Sequence, residues 1–350
     1  NVRNVRKHIP DGVKVMAMVK ANAYGTGAYE TAKMLEEQHI DALAVAVADE
    51  GKELRKKGIL TPIVVMDPEV NAFSTLIDYN LEPVVFSMPQ LEELYHKIDR
   101  QGFNHFHVHL EIDSGMHRLG FAPADADKLA HWLSEQNVLS VRSVFSHLAA
   151  ADEPAEDEFT LRQIATFSDA YERMAAILGY RPIKHILNSA GIMRFPQYAF
   201  DMVRLGIGLY GVSPTNGTEF ASVVTLRTTL LQTTDIPAGD TIGYGRHGIL
   251  PQGGTIGIIP VGYADGYDRR FGCGVGKVAI RGKLYPTIGN ICMDTCMIDL
   301  TGSDARPGDK VTLFGGDAPD LCALAASVGT IPYEILSHMA NRIQRVYYRG

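Results

Sequence analysis

Lys20 closes an apolar run, Val13-Lys14-Val15-Met16-Ala17-Met18-Val19-Lys20, and is followed by Ala21-Asn22-Ala23-Tyr24-Gly25-Thr26-Gly27. An amine at the end of a buried strand is partly desolvated, which lowers its pKa and makes it a usable nucleophile toward a carbonyl carbon. That is the requirement for Schiff-base formation. A lysine that only snorkels out of a strand end is the bland alternative, so its neighbours must decide. Other chemistry-bearing residues end or follow apolar runs in the same way: Arg118, His147, Ser189 and Arg204.

One chemistry unites these residues. A pyridoxal-phosphate site needs, besides the lysine, donors for the phosphate, a partner for the pyridine nitrogen and groups for the substrate carboxylate. The run Val203-Arg204-Leu205-Gly206-Ile207-Gly208-Leu209-Tyr210-Gly211 offers glycine-exposed amides for phosphate, with Gly206 and Ile207 as the expected contacts. Ser189 can add a hydroxyl. Arg204 can face the ring nitrogen, and because arginine keeps its proton that nitrogen stays largely unprotonated. The ring is then a weaker electron sink, which favours simple proton exchange over transamination.

Two rival motifs are present. Residues 206–211 match G-x-G-x-x-G, but Val-Ser-Pro-Thr-Asn-Gly follows where a dinucleotide fingerprint needs a helix, and no acidic residue ends a second strand about 20 residues on. The stretch His105-Phe-His107-Val-His109-Leu-Glu111-Ile-Asp113 is the more serious competitor. At period two it lines three imidazoles and two carboxylates on one strand face, and H-x-H on a barrel strand is a feature of metal-dependent hydrolases. Polar filling of a barrel interior is the favoured account, since His147 alone offers a comparable ligand elsewhere. No metal centre is expected.

The elements that must position these groups follow from periodicity. Eight β-branched or apolar runs, at 14–20, 41–47, 62–66, 83–87, 105–113, 141–147, 183–189 and 202–206, alternate with amphipathic stretches at 49–57, 90–100, 123–135 and 158–178. Eight strand-helix units predict a (β/α)₈ barrel, in which reactive residues sit at the C-terminal ends of strands. Beyond Tyr210, Gly and Pro punctuate runs at 223–234, 255–261, 278–280, 295–300 and 310–314, with one helix near 320–328. The expectation is a barrel over 1–218 and a smaller, mainly β domain over 219–350.

Composition excludes several classes. The 350 residues carry a net charge of -7 with scattered basic residues, so no nucleic-acid footprint exists and small-molecule partners are expected. The longest apolar run, near 42–48, is far below the roughly 20 residues of a membrane helix. A chain that does not itself span a membrane and is cytoplasmic is the expectation, with four cysteines in neither zinc nor disulfide spacing. The chain begins inside what reads as a helix, 2–8, so further sequence upstream is expected.

Taken together, Val-Met-Ala-Met-Val-Lys20-Ala-Asn-Ala-Tyr24-Gly, Asp113-Ser-Gly-Met-His-Arg118-Leu-Gly-Phe, Ser146-His147-Leu-Ala, Asn188-Ser189-Ala, Val203-Arg204-Leu-Gly-Ile-Gly, Gly243-Tyr244-Gly, Gly262-Tyr263-Ala-Asp-Gly and Ile291-Cys292-Met293-Asp294 resemble the alanine racemase family. The resemblance implies a barrel followed by a β domain, working as a homodimer in which the second domain of one subunit completes the site of the other. It implies that Lys20 holds the cofactor and is one base, with Tyr244 of the partner subunit as the other. Removal of a proton on one face and delivery on the opposite face is what inversion of a stereocentre requires. A hydrogen-bond chain from Tyr244 to His147 to Arg204 is implied. So are carboxylate binding by Arg118 and the Met293 amide, phosphate binding by Tyr24 and Ser189, and a place for Tyr263 along the access path to the substrate.

Two departures stand out. Glu111 occupies a position where many family members carry a carbamylated lysine, so Glu111 is expected to brace Arg118 directly. Asn341, in Met339-Ala340-Asn341-Arg342, falls where a tyrosine is usual, which opens polar room beside the substrate side chain. That feature resembles the catalytic domain of the VanT-type serine racemases of vancomycin resistance, which follows a membrane-spanning part. L-serine is therefore expected as a substrate beside L-alanine. A metal-dependent barrel hydrolase and a non-catalytic pyridoxal-phosphate carrier remain the alternatives, the carrier having no need of Tyr244 and Met293.

Overall fold

The computed structural model describes residues 1–215, 217 and 220–348. Among these, eight parallel strands close into a barrel in chain order: β1 (Lys14–Met18), β2 (Ala42–Val45), β3 (Ile63–Val65), β4 (Glu82–Val85), β5 (Phe106–Glu111), β6 (Leu139–Phe145), β7 (Ile183–His185) and β8 (Met202–Leu205). Closure is made by β8 against β1, with Lys14 opposite Met202 and Ala17 opposite Leu205. The strands read as continuous apolar runs because barrel strands are covered on both faces, and β2 and β3 are buried at every position. The eight runs expected from the sequence are the eight strands.

Helices Ala28–Glu37, Ala48–Lys56, Phe73–Asp78, Met88–Asp99, Ala126–Ser134 and Asp157–Leu178 follow β1 to β6 in turn and bury one stripe each. The longest buries Ile164, Phe167, Tyr171 and Met174 at three- and four-residue spacing, and Gly179 ends it at φ 75°. The expected polar face of 105–113 is split. His105 lies before β5 at φ 57°, His107 is exposed, and only His109 and Glu111 are buried. A register shift between Val108 and His109 marks the break.

The chain divides into two compact units, Asn1–Ala23 with Gly27–Ala221, and Tyr24–Thr26 with Ser222 onward. The boundary expected between 218 and 219 lies outside the described residues.

The second unit contains β9 (Leu226–Thr229), β10 (Gln232–Ile236), β11 (Thr241–Ile242), β12 (Gly248–Ile249), β13 (Gly254–Ile259), β14 (Lys277–Ile280), β15 (Lys283–Ile288), β16 (Cys296–Asp299) and β17 (Lys310–Phe314). Seven of them form one sheet in the order β10-β13-β16-β15-β14-β17-β9. The single expected run 223–234 is two strands that lie on opposite edges of that sheet. Leu230 N–H donates to Asp309 O and Leu231 N–H to Ile258 O, so adjacent residues serve opposite edges and the sheet is rolled on itself. Ile242, Leu250, Ile256, Ile288 and Met297 pack as a core of this unit. No helix among the described residues is long and apolar enough to cross a membrane.

Candidate active site

Lys20 stands half-buried where β1 ends, and the chain beyond it turns with the wrong hand. Ala21, Asn22, Ala23 and Tyr24 all have φ of 52–53°. Left-handed backbone costs roughly 1–2 kcal/mol per non-glycine residue, so other contacts must hold it. Ala23 N–H donates to Val19 O (2.9 Å) and Gly27 N–H to Asn22 O (2.9 Å). Glu50 clamps the turn: Ala21 N–H donates to its Oε1 (2.6 Å) and Ala46 N–H to its Oε2 (2.8 Å). Ala28 N–H is capped by Asn22 Oδ1 (2.8 Å). Neither the turn nor Glu50 was legible in the sequence, because alanine gives no signal for positive φ.

Arg204 on β8 is 2% exposed, and both terminal nitrogens of its guanidinium are engaged. Nη1 donates to His185 Nδ1 (2.7 Å), while Nη2 is shared among Ser146 O (2.7 Å), Ile186 O (3.0 Å) and His147 Nδ1 (3.2 Å). Its Cζ lies 4.9 Å from the centre of the Phe145 ring, on which His185 stacks in near-parallel fashion. Burial pushes the Arg204 pKa down to about 10, against the pull of Glu111, so the side chain stays charged at neutral pH. Both imidazoles are held well below the usual histidine range, first by burial and then by the Arg204 charge. Arg118 and Lys20 act on His147 in the same sense, which places them within electrostatic reach of it. His147 is half-buried, yet the crowding around it desolvates it.

At the ends of β7 and β8 a small cradle forms. The buried Ser189 Oγ accepts from Gly206 N–H (2.9 Å) and Gly208 N–H (3.3 Å), and its own O–H can donate outward. The Ile207 amide between them has no acceptor among the described residues. Gly208 is packed too closely for a side chain: a Cβ there would lie 2.5 Å from the Phe220 ring. A hydroxyl, an open amide and a close-packed glycine turn at strand C-termini fit an anionic phosphate.

The direct brace between Glu111 and Arg118 is not formed. Arg118 is exposed on a loop organised by Asp113, whose carboxylate accepts from the Gly115 and His117 amides, and no ion pair joins it to Glu111 among the described residues. Glu111 ends β5 inside the barrel, where burial raises its pKa and Arg204, ahead of Arg118, opposes that rise. No group of three His, Cys, Asp or Glu among the described residues could hold a metal ion.

The remaining candidates belong to the second unit. Tyr24 is buried there with its ring 6.1 Å from Tyr333, and burial raises its hydroxyl pKa. Tyr244 is 73% exposed between Gly243 and Gly245, both at positive φ, and Asn290 Nδ2 donates to its carbonyl (2.8 Å). Tyr263, Met293 and Asn341 are drawn together by Asp265. Its carboxylate accepts from Gly262 N–H and from Arg342 Nε (2.6 Å) and Nη2 (3.0 Å), and its carbonyl accepts from Ala340 N–H. Arg342 also reaches Asp294 (2.8 Å), beside Met293. Tyr263 N–H donates to Cys292 O and Ala264 N–H to Met293 O, while the Met293 amide has no acceptor among the described residues.

Comparison with known proteins agrees over the whole chain. Residues 1–214 match the alanine racemase N-terminal domain and residues 223–347 the alanine racemase C-terminal domain. Alanine racemase 1 of Caldanaerobacter subterraneus subsp. tengcongensis is 35% identical over 360 residues, covering 99% of this chain and 92% of that protein. The solved alanine racemase of Streptomyces coelicolor A3(2) is 33% identical with a TM-score of 0.93, covering 100% of this chain and 95% of that one. The alanine racemase of Clostridium difficile 630 in complex with cycloserine is 31% identical with a TM-score of 0.87, covering 98% and 90%.

Proposed function

This chain belongs to the alanine racemase family, whose members are pyridoxal-phosphate-dependent racemases, and from that premise we propose that it interconverts the enantiomers of serine as well as alanine by a two-base mechanism. Bound pyridoxal phosphate supplies the electron sink that makes the substrate Cα–H acidic. Lys20 holds the cofactor, and Ser189, Tyr24 and the Ile207 amide hold its phosphate, with Gly206 N–H fixing the Ser189 hydroxyl. Arg118 and the Met293 amide hold the substrate carboxylate. Lys20 Nζ serves one face of Cα and Tyr244 Oη of a second copy of the chain the other, one removing the Cα proton while the other delivers its own. Tyr263 lines the access path.

The observation that carries this reading is the Arg204 guanidinium, charged, buried and donating to two uncharged imidazoles. A group that cannot release its proton holds a ring nitrogen unprotonated and keeps the sink weak, which suits reprotonation at Cα. His147, accepting from Arg204 at Nδ1, carries its proton on Nε2 and can pass a hydrogen bond to the Tyr244 hydroxyl of the second copy. Exposure of that hydroxyl supports a role outside its own unit. Asn341, exposed beside the Arg342 clamp, supports polar room for a serine hydroxyl. The product D-amino acids would enter peptidoglycan precursors, with D-serine serving glycopeptide resistance.

A circular-dichroism racemisation assay on L-alanine and L-serine with added pyridoxal phosphate tests the reading. Turnover of both is expected. Turnover of alanine alone would remove the serine assignment, and turnover of neither would remove the racemase.

A further inference from the structure

The barrel interior holds a polar ladder that the proposed reaction has not used. Starting from Arg204 on β8, it runs through His185 on β7, Ser143 on β6 and His109 on β5 to Glu82 on β4, crossing one strand at each step. The contacts are Arg204 Nη1 to His185 Nδ1 at 2.7 Å, His185 Nε2 to Ser143 Oγ at 2.9 Å, Ser143 Oγ to His109 Nδ1 at 2.6 Å and His109 Nε2 to Glu82 Oε2 at 2.9 Å. Arg142 closes the far end with an Nη1 to Glu82 Oε1 bond of 2.8 Å. Ser143, His185, Arg204 and His109 are 0–3% exposed, and Glu82 is nearly so. Barrel interiors are usually filled by branched aliphatic layers. Five consecutive strands here contribute a polar group to one line.

The direction of every proton in the ladder is fixed by its two ends. Arginine only donates, so His185 Nδ1 must accept and its proton sits on Nε2. His185 then donates to Ser143 Oγ. The hydroxyl has one proton, which it gives to His109 Nδ1, leaving His109 to donate from Nε2 to Glu82. A carboxylate only accepts, so the line cannot run the other way. Glu82 stays ionised: burial raises its pKa, but the His109 hydrogen bond and the nearby cations outweigh it and hold the value below the ordinary one.

We propose that Glu82, His109, Ser143 and His185 form a positioning relay for Arg204, with the Glu82 carboxylate as the element that forbids the inverted hydrogen-bond direction. Inversion would bring a His185 Nδ1–H against the Arg204 Nη1–H, two donors facing each other in a dry interior, which forfeits a buried hydrogen bond and pushes the guanidinium off its heading. With the Glu82 carboxylate in place that state has no donor to start from. The relay thus keeps the arginine aimed from a point three strands behind the residue it touches. It rests on the reading that Arg204 faces the cofactor ring nitrogen.

The test uses holoenzyme carrying ¹⁵N-histidine, examined by NMR for ring tautomers, together with alanine racemisation kinetics and the visible absorption of the bound cofactor. In the wild type both His185 and His109 should carry the proton on Nε2 with Nδ1 bare. Glu82→Gln keeps the shape but offers an NH₂ that can donate, so His109 should gain an Nδ1–H form and kcat should fall about 10-fold, as happens when hydrogen bonds that orient a site residue are removed, with KM changed less than about twofold. Glu82→Asp should keep the wild-type tautomers and recover part of kcat. A wild-type His185 protonated on Nδ1 overturns the relay, as do unchanged tautomers and kcat in Glu82→Gln. The wild-type spectrum decides even if a variant does not fold. An Arg204→Lys variant whose cofactor absorption matches wild type, with the tautomers as expected, would instead remove the reading that Arg204 faces the ring while leaving the ladder standing.

Discussion

Nδ1 of His147 lies 3.2 Å from Nη2 of Arg204, and since the arginine can only donate, the imidazole must accept there and keep its proton on Nε2. The same arginine fixes His185 from its other nitrogen. One buried side chain therefore sets the tautomer of two histidines, one just past the end of β6 and one on β7.

Removing it should be costly. Arg204→Gln takes a charge away from His147, His185 and the carbonyls of Ser146 and Ile186 at once, and leaves Glu111 buried without the cation that most favours its charged form. Loss of one partner from a buried charged network costs about 3–5 kcal/mol. Urea unfolding of the variant should show a loss of that size, and a loss under about 1 kcal/mol would mean that the guanidinium is poorly coupled to its surroundings.

Acid should destabilise the fold early. His147 and His185 have pKa values below the ordinary 6.5 because burial and then Arg204 disfavour their charged forms. The unfolded chain binds those protons more tightly, so the stability that rests on neutral rings is complete above pH 6.5 and is lost as pH falls below it. Two such groups give a slope of up to about 2.7 kcal/mol per pH unit. Glu111, whose pKa burial raises, works in the opposite sense nearer its own range. Denaturant unfolding between pH 7 and 5 should show the fall, with roughly half the slope in His147→Gln. A flat profile over that range would contradict the neutral-ring assignment.

The left-handed turn after Lys20 makes a prediction of opposite sign. Ala21 is exposed at φ 52°, so Ala21→Gly relieves steric strain without opening a cavity and should stabilise by up to about 1 kcal/mol after the entropy cost of glycine. Glu50→Ala should do the reverse, leaving the Ala21 and Ala46 amides unpaired at about 1–3 kcal/mol, and should weaken retention of pyridoxal phosphate on dialysis. Equal stability of both variants with wild type would mean that the turn is not strained and Glu50 does not hold it.

What was legible in the sequence follows from what periodicity encodes. The eight barrel strands and the residues at their C-terminal ends came through because parallel strands are uniformly apolar, so Lys20, His147, Ser189 and Arg204 stood out against them. The roll of the second sheet was hidden: 223–234 reads as one run, and nothing in Leu230-Leu231 announces that the chain changes edges there. β15, with Pro286 inside it, and β11 and β12, each two residues long, carry too little pattern to find. In the site, His185 and Ser143 were missed because a polar residue on a buried strand has no marker of a partner far along the chain. The brace expected of Glu111 toward Arg118 failed for a related reason, since the loop after β5 carries Arg118 outward while Glu111 stays inside with Arg204.

Substrate choice bears on one position. If Asn341 makes room for a hydroxyl, Asn341→Tyr should lower the ratio of serine to alanine turnover by about tenfold or more, the scale on which removing one polar interaction with a substrate acts. The Arg342 clamp on Asp265 and Asp294 should survive the change, so alanine turnover serves as the internal control. An unchanged ratio would take Asn341 out of the explanation.

The central claim is that Lys20 and Tyr244 act on opposite faces of the substrate Cα, one removing its proton while the other delivers a different one. Tyr244→Phe should be incubated with L-alanine and with D-alanine in deuterium oxide, following both racemisation and loss of the Cα proton. Racemisation is expected to fall by about 1,000-fold or more while exchange without inversion persists for one enantiomer, through Lys20. Exchange and racemisation lost equally from both enantiomers, or racemisation retained, would contradict the two-base assignment.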